Sequence, residues 1–353
     1  MEQKHLVAIR CFTYNHEKYI ESALHGFVIQ KTKFPFVAIV VDDASTDNEP
    51  KILWDFVNNE LDLNSIQKDE TDDYVRVVAP HKTNHNCTFV LLFLKYNHYH
   101  KKAKAPYIKE WQDSAKYIAL CEGDDYWIDP LKLQKQVNIL EKHPECSICF
   151  CKVESITKEG KKLPKTYPAK DVKEIFSLSD FVKWEFFDSS WVFHTSSIMY
   201  RRNIVDDYNK AIKTTFRNFP HGDLIVQLYA LERGDGIYLP DAVSYYRVLS
   251  GGYNSYILEH IDKSIEDDLK KIKGIMEYDE YTNFKFHKYL KKSILSLELR
   301  VEKKRKNHLG FFKKKYIELY QSLSFKEFMV TFLKFYFPTV LNSLLSIKRK
   351  LES

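Results

Sequence analysis

Phe36-Val37-Ala38-Ile39-Val40-Val41, followed at once by Asp42-Asp43-Ala44-Ser45-Thr46-Asp47, is the stretch on which the fold turns. An unbroken apolar run predicts a strand buried on both faces, the condition of a parallel strand covered by helices. Upstream, Leu6-Val7-Ala8-Ile9 repeats the pattern and stops in Thr13-Tyr14-Asn15-His16. Between the two, Ile20, Ala23, Leu24, Phe27 and Val28 recur at helical spacing within Tyr19 to Gln30. Strand, helix and strand in so short a span make a βαβ unit. The pattern then continues, with a helix predicted over Pro50 to Leu61 and a third strand over Tyr74 to Val78. Phe89 to Lys116 reads as helical spacing passing into an inserted loop, and Tyr117 to Cys121 as a fourth strand. Pro130 to His143 predicts a helix, Ser147 to Val153 a strand, and Ser155 to Phe176 a polar, mobile loop. Later, Leu224 to Leu231 reads as a helix, and Gly236 to Leu239 and Ala242 to Tyr246 as two short strands.

Two of these strands end in paired acids, Asp42-Asp43 and, after Glu122-Gly123, Asp124-Asp125. Open α/β sheets bind ligands beyond the carboxyl ends of their strands, so both pairs are expected to face one crevice. Clustered carboxylates repel unless a cation or hydrogen bonds offset the repulsion. A hard divalent cation held by one or two carboxylates and by substrate phosphates is the usual arrangement for Mg²⁺ or Mn²⁺. Asp-Ala-Ser-Thr-Asp is also a good helix-capping sequence; two acid pairs on neighbouring strands favour a site over two capped turns. Cys146, Cys149 and Cys151 lie near His143 but lack a second pair at zinc spacing, and alternate in a strand, so they read as core thiols.

The residues resemble family 2 glycosyltransferases. Ile9 to Asn15 looks like the family's opening strand and turn, and Val40 to Asp47 is similar to its "VDDGSTD" segment. Glu122-Gly123-Asp124-Asp125-Tyr126-Trp127 resembles its aspartate-rich metal motif, and His221-Gly222-Asp223 stands where the family carries its base. The likeness spans about Leu6 to Ser255. It implies a GT-A fold, a Rossmann-like, mostly parallel α/β sheet flanked by helices, and an inverting transfer from a nucleotide-diphosphate sugar, with a UDP-linked donor expected. By the same likeness Phe12 and Tyr14 lie at the nucleobase, with Asn15 in the donor site. Asp43 would accept a hydrogen bond from the base beside Asp42. Asp124 and Asp125 would hold ribose and metal, Arg247 would clamp the diphosphate ahead of the Gly251-Gly252 turn, and Asp223 would deprotonate the acceptor hydroxyl. His194 and Thr195 fit an acceptor pocket, and Trp127, Trp184 and Trp191 could stack on sugars, although core packing explains such aromatics as well. Three features depart from the pattern: Glu122 replaces the first metal-motif Asp, Cys87 takes an expected glycine slot, and the insert from Lys95 to Asp113 has no counterpart.

In the full chain of 353 residues, 44% are hydrophobic, which excludes a disordered polymer. The net charge of +6 arises in the tail: from Leu258 onward 21 Lys and Arg face 13 Asp and Glu. A basic surplus confined to a tail argues against nucleic acid as partner. The expected organisation is a glycosyltransferase domain over 1–257, with a nucleotide-binding half to about 153 and an acceptor half over 154–257, then a basic helical region over 258–353. Phe325 to Ile347 is aromatic-rich and kinked by Pro338, which suits a helix lying in an anionic membrane interface, or one packed in a helical hairpin. No uninterrupted apolar run reaches the roughly 18 residues a membrane span needs. No signal peptide is read, so the expected place is the cytoplasm, peripheral on the inner face of the cytoplasmic membrane, with a glycan or lipid-linked acceptor. Two other readings remain: a sugar nucleotidyltransferase, which would want a Gly-rich basic loop where Arg10 to Asn15 stands, and a non-catalytic membrane-associated binding protein.

Overall fold

The computed structural model describes residues 4–99, 101–169, 171–188, 192–205, 222–249, 260–341 and 343. The chain divides into two compact units. One comprises Met1–Phe181, Trp191–Asn209 and Val226–Leu249; the other comprises Val182–Ser190, Lys210–Ile225 and Ser250–Ser353.

The first unit is built on one mixed sheet. Its strands are β1 (Val7–Thr13), β2 (Phe36–Asp42), β3 (Gln67–Glu70), β4 (Tyr74–Pro80), β5 (Cys87–Leu94) and β6 (Tyr117–Leu120). They continue as β7 (Tyr126–Trp127), β8 (Cys146–Ile156), β9 (Lys162–Tyr167), β10 (Ile175–Phe176), β11 (Met199–Arg201) and β12 (Asp235–Arg247). The order is β10-β12-β8-β11-β6-β1-β2-β5-β4-β3, with β7 paired to β12 and β9 to β8. Its centre, β6-β1-β2-β5, is parallel, and helices α1 (Ile20–Val28), α2 (Glu49–Glu60), α3 (Ala105–Asp113) and α4 (Lys132–Lys142) accompany it. All seven residues of β2 are buried, as its unbroken apolar run requires. Burying each such Val or Ile side chain stabilises by about 1.5–3 kcal/mol, so the central strands anchor everything at their carboxyl ends.

Four segments differ from the sequence reading. The third parallel strand is Cys87–Leu94, not Tyr74–Val78, which forms an antiparallel strand outside it. Phe89 to Leu94 are buried, and pairing with β2 along one edge and β4 along the other overrides their helical spacing. Within the insert, Pro106 opens helix α3. The polar stretch after Ser155 is no loop: β8 runs on to Ile156 and turns into β9, and Val153 pairs with Tyr167. The two short strands after Gly236 are one, β12, with an irregular register between Leu239 and Val243. Cys146, Cys149 and Cys151 are buried in β8.

The second unit contains α6 (Ile261–Tyr281), α7 (His287–Lys304) and α8 (Phe325–Tyr336); α5 (Gly222–Leu231) starts in this unit and ends in the first. Ser324 opens α8 with a capping box closed by Glu327; α8 ends at Tyr336, the backbone is helical again over 338–341 and at 343, and 342 and 344–347 lie outside the described residues. Phe335 is buried with Leu295, Leu299, Phe311, Tyr316 and Leu319, and Phe328 and Phe332 lie against that cluster. Residues 328, 332 and 335 share one helix face, so much of the aromatic content packs within the unit. Phe325, Leu309 and Phe312 stay exposed at 81%, 79% and 69%. Among the described residues no helix is long and apolar enough to cross a membrane.

Candidate active site

The turn Thr13–His16, at the carboxyl end of β1, is the hub on which both acidic segments dock. Because β1 lies between β2 and β6, the Asp42 and Glu122 ends of its neighbours flank it. The Asp43 N–H donates to the Thr13 carbonyl at 3.0 Å, and the Gly123 N–H to the Phe12 carbonyl at 3.0 Å. Gly123 sits so close that a Cβ there would fall 2.2 Å from Thr13 Oγ1 and 3.0 Å from His16 Nδ1, so no other residue fits undisturbed. Behind, Gly26 of α1 lies against the Trp127 backbone, where a Cβ would meet N and O at 2.9 Å.

Asn15 and Glu49 tie the turns together. Asn15 Oδ1 accepts from the Thr46 N–H at 2.8 Å, and the Asn15 N–H donates to Ser45 Oγ at 2.9 Å. Glu49, fully buried, accepts three donors: the Thr13 hydroxyl at 2.5 Å, the His16 N–H at 2.7 Å and the Ser45 hydroxyl at 3.0 Å. Sequence reading passed over Glu49 because it looks like an ordinary first-turn helix acid; two of its three partners, Thr13 and His16, come from β1 and its turn, far along the chain. Asn15 and Ala44 both hold left-handed backbone, φ 56° and 60°. Asn tolerates that region, whereas Ala44 is strained there by roughly 1–2 kcal/mol.

The four acids are unequal. Asp42 is buried and accepts from the Ser45 N–H at 2.9 Å; burial pushes its carboxyl up to about 6 against those Ser45 hydrogen bonds. Asp43 is buried as well, and the insert docks on it. The His98 N–H donates to Asp43 Oδ1 at 2.7 Å, and Lys104 Nζ lies 2.7 Å from Oδ2. A nucleobase reaching Asp43 would therefore meet Lys104 there, a residue for which the sequence offered no signal. Lys104 Nζ is also 5.2 Å from the Phe12 ring centre, with the Arg10 guanidinium at 5.3 Å, and Tyr14 is 42% exposed. Asp125 is buried, accepts the Arg247 N–H at 3.0 Å, and titrates well above the carboxylate range, first through burial and next through the neighbouring Asp124 charge. Asp124 alone keeps a partly exposed side chain, 23%, facing His16 Nε2 at 3.9 Å.

Arg247 arrives on β12, whose Ser244 and Tyr245 pair with Trp127 and Tyr126. Its Nε donates to the Asp124 carbonyl at 3.2 Å and its Nη1 to the Lys158 carbonyl at 3.1 Å, between the rings of Tyr19 and Tyr126. The guanidinium thus braces β12 against the acid pair, and only its remaining donors could meet a diphosphate. His194 is buried against Tyr246 and lies 3.6 Å from Asp125 Oδ2; burial lowers it to about 3, so the ring is neutral. Its Nδ1 accepts from the Ser196 N–H and caps the short turn Thr195–Ser197, where Thr195 is half-buried. Trp127 must be corrected as a sugar-stacking residue. It is 1% exposed, donates from Nε1 to the Ser196 carbonyl at 2.9 Å, and carries Lys132 Nζ 4.0 Å from its ring centre, so its faces are core. Asp223 is half-buried in the first turn of α5 and belongs to the second unit. His221, Trp191 and the Gly251-Gly252 turn lie outside the described residues.

Among the described residues no group of three or more His, Cys, Asp or Glu side chains is placed to hold a metal by itself. The donor set nonetheless suits a hard cation shared with a diphosphate, because such ions take one or two carboxylates and complete their shell from phosphate and water. The mutual repulsion of Asp124 and Asp125 is what a cation would relieve.

No protein-family model matches the chain. It is 33% identical over 198 residues to an uncharacterized protein of Mycobacterium bovis, across 56% of this chain and 47% of that protein. An uncharacterized protein of Mycobacterium tuberculosis matches over the same length with the same identity. The aligned part spans about half the length of these relatives. Among solved structures, S. aureus TarS 1–349 in complex with UDP superposes with TM-score 0.46 at 13% identity, covering 92% of this chain and 90% of that one. Mannosyltransferase PcManGT from Pyrobaculum calidifontis, in complex with GDP-Man and Mn²⁺, superposes with TM-score 0.47 at 15% identity, covering 99% and 80%.

Proposed function

We propose that the chain is an inverting glycosyltransferase of family 2 type, moving a sugar from a nucleotide-diphosphate donor, UDP-linked by preference, to a hydroxyl of a glycan or lipid-linked acceptor. The observation that carries the reading is the convergence of Asp42-Asp43 and Glu122 to Asp125 on one turn at the carboxyl ends of parallel strands. In this reading Phe12 and Tyr14 flank the base, Asp42 and Asp43 hold the nucleoside, and Asp124, with Asp125 behind it, holds Mg²⁺ or Mn²⁺. When bound, such an ion acts as a Lewis acid on the departing diphosphate. Asp223 accepts the proton of the acceptor hydroxyl, which attacks the anomeric carbon opposite the departing diphosphate and inverts it. A sugar nucleotidyltransferase is disfavoured because the turn after β1 is held by Asn15 and Glu49 and carries no glycine-rich triphosphate cradle.

Two measurements test the proposal. Incubated with a panel of nucleotide sugars and Mn²⁺, the protein should release nucleoside diphosphate from at least one. Asp223→Asn should keep donor-induced thermal stabilisation and lose transfer by about 10²–10⁴-fold; transfer at the parent rate would exclude Asp223 as base. The exposed Leu309, Phe312 and Phe325, close in sequence to Lys303 to Lys306 and Lys313 to Lys315, support peripheral binding to an anionic membrane as part of the same reading. Sedimentation with vesicles containing phosphatidylglycerol should fall severalfold in a Leu309→Ser, Phe312→Ser, Phe325→Ser variant. Equal sedimentation would remove the membrane from the reading.

A further inference from the structure

His16 is tied into the hub by hydrogen bonds whose directions settle its tautomer. The Thr13 hydroxyl donates its single proton to Glu49 Oε1, whose carboxylate also receives the His16 N–H and the Ser45 hydroxyl. Thr13 Oγ1 then has only lone pairs to offer His16 Nδ1, 3.1 Å away, and Nδ1 must carry the hydrogen. That tautomer leaves Nε2 with its lone pair, 3.9 Å from Asp124 Oδ2. The gap is too long for a hydrogen bond. Two electron-pair donors therefore face each other with no proton between them. Their separation lies between the roughly 3.0 Å and 4.2 Å that cis and trans ligands span around an ion with bonds of about 2.1 Å. Both side chains are partly exposed, 22% and 23%, so an ion could reach them. Gly123, seated on Thr13 and His16, fixes the approach of Asp124 to the ring.

We propose that His16 Nε2 is a direct ligand of the divalent cation, paired with Asp124, with Thr13 and Glu49 as the positioning residues that hold its tautomer. The proposal rests on the reading that a cation carries the nucleoside diphosphate here, and adds a nitrogen to a shell otherwise made of oxygen. Nitrogen ligation favours Mn²⁺ over Mg²⁺, since imidazole is a poor partner for the harder ion.

The test is electron spin echo envelope modulation of Mn²⁺ bound to the full chain with UDP. A directly bonded imidazole ¹⁴N should modulate the echo, and ¹⁵N-histidine labelling of the unaltered protein should replace that pattern by the ¹⁵N one. His16→Gln should abolish it and raise the Mn²⁺ Kd in the presence of UDP by about tenfold or more. Mn²⁺ bound without nitrogen modulation overturns the ligand assignment and leaves the glycosyltransferase reading intact. Modulation that survives in His16→Gln places the nitrogen on another histidine and overturns it equally. Failure of the parent protein to bind Mn²⁺ with UDP removes the reading on which the proposal stands.

Discussion

Asp124→Asn is expected to abolish the thermal stabilisation conferred by UDP with Mn²⁺ and to lower transfer about a thousandfold. A factor of that size corresponds to about 4 kcal/mol of transition-state stabilisation, in the range a cation contributes to a leaving diphosphate. The fold should not suffer, because the carboxylate is partly exposed and His16 Nε2 stands 3.9 Å away, beyond hydrogen-bond reach. The melting temperature without ligand should therefore stay within about 2 °C of the parent. Calorimetric or dye-based melting with and without UDP and Mn²⁺, together with initial rates, checks both parts. An unchanged ligand-induced shift would mean that the acid at this strand end does not hold the ion. Asp125 is a different case despite its neighbouring place: it is buried, takes the Arg247 N–H and lies against His194. The two adjacent acids thus differ in place, one partly exposed beside His16 and the other turned into the scaffold.

The second large effect is expected at Glu49→Ala. Removing the carboxylate leaves the Thr13 hydroxyl without its acceptor in a buried place, and the His16 N–H and the Ser45 hydroxyl without theirs in part-buried ones. Orphaning three such donors costs about 3–5 kcal/mol. For a unit of this size the melting temperature falls by roughly 2–4 °C per kcal/mol, so a drop of about 10 °C is expected. Binding of UDP with Mn²⁺ should weaken as well, since the same hydrogen bonds place Asp42 and His16. Glu49→Gln should recover part of the stability because its amide oxygen still accepts. Urea denaturation reads the loss directly, and a change under about 1 kcal/mol would show that the turns hold themselves without Glu49.

The strand ends were legible because the rule that produces them is local. A run such as Phe36 to Val41 cannot be exposed on either face, and an abrupt change to Asp42-Asp43 can only be a carboxyl-end loop. Cys87 to Leu94 obeys the same burial rule yet was read as partly helical, because an apolar run of that length satisfies both periods until a partner strand is known. The antiparallel place of Tyr74–Pro80 follows from the same missing partner.

By itself the sequence determined that the runs at Val7 to Ile9, Phe36 to Val41 and Tyr117 to Leu120 become buried strands of the sheet and that two of these strands end in paired acids. Burial and spacing are properties of neighbours in the chain, and they suffice for that. Only the tertiary structure decided what each acid does: Asp43 meets Lys104 from an insert, Asp125 turns inward to Arg247 from β12, and Asp124 faces His16. It also made Trp127 core and Glu49 a keystone. A side chain's partners, exposure and proton positions depend on residues brought close by folding, often a hundred positions away, and no local pattern encodes them.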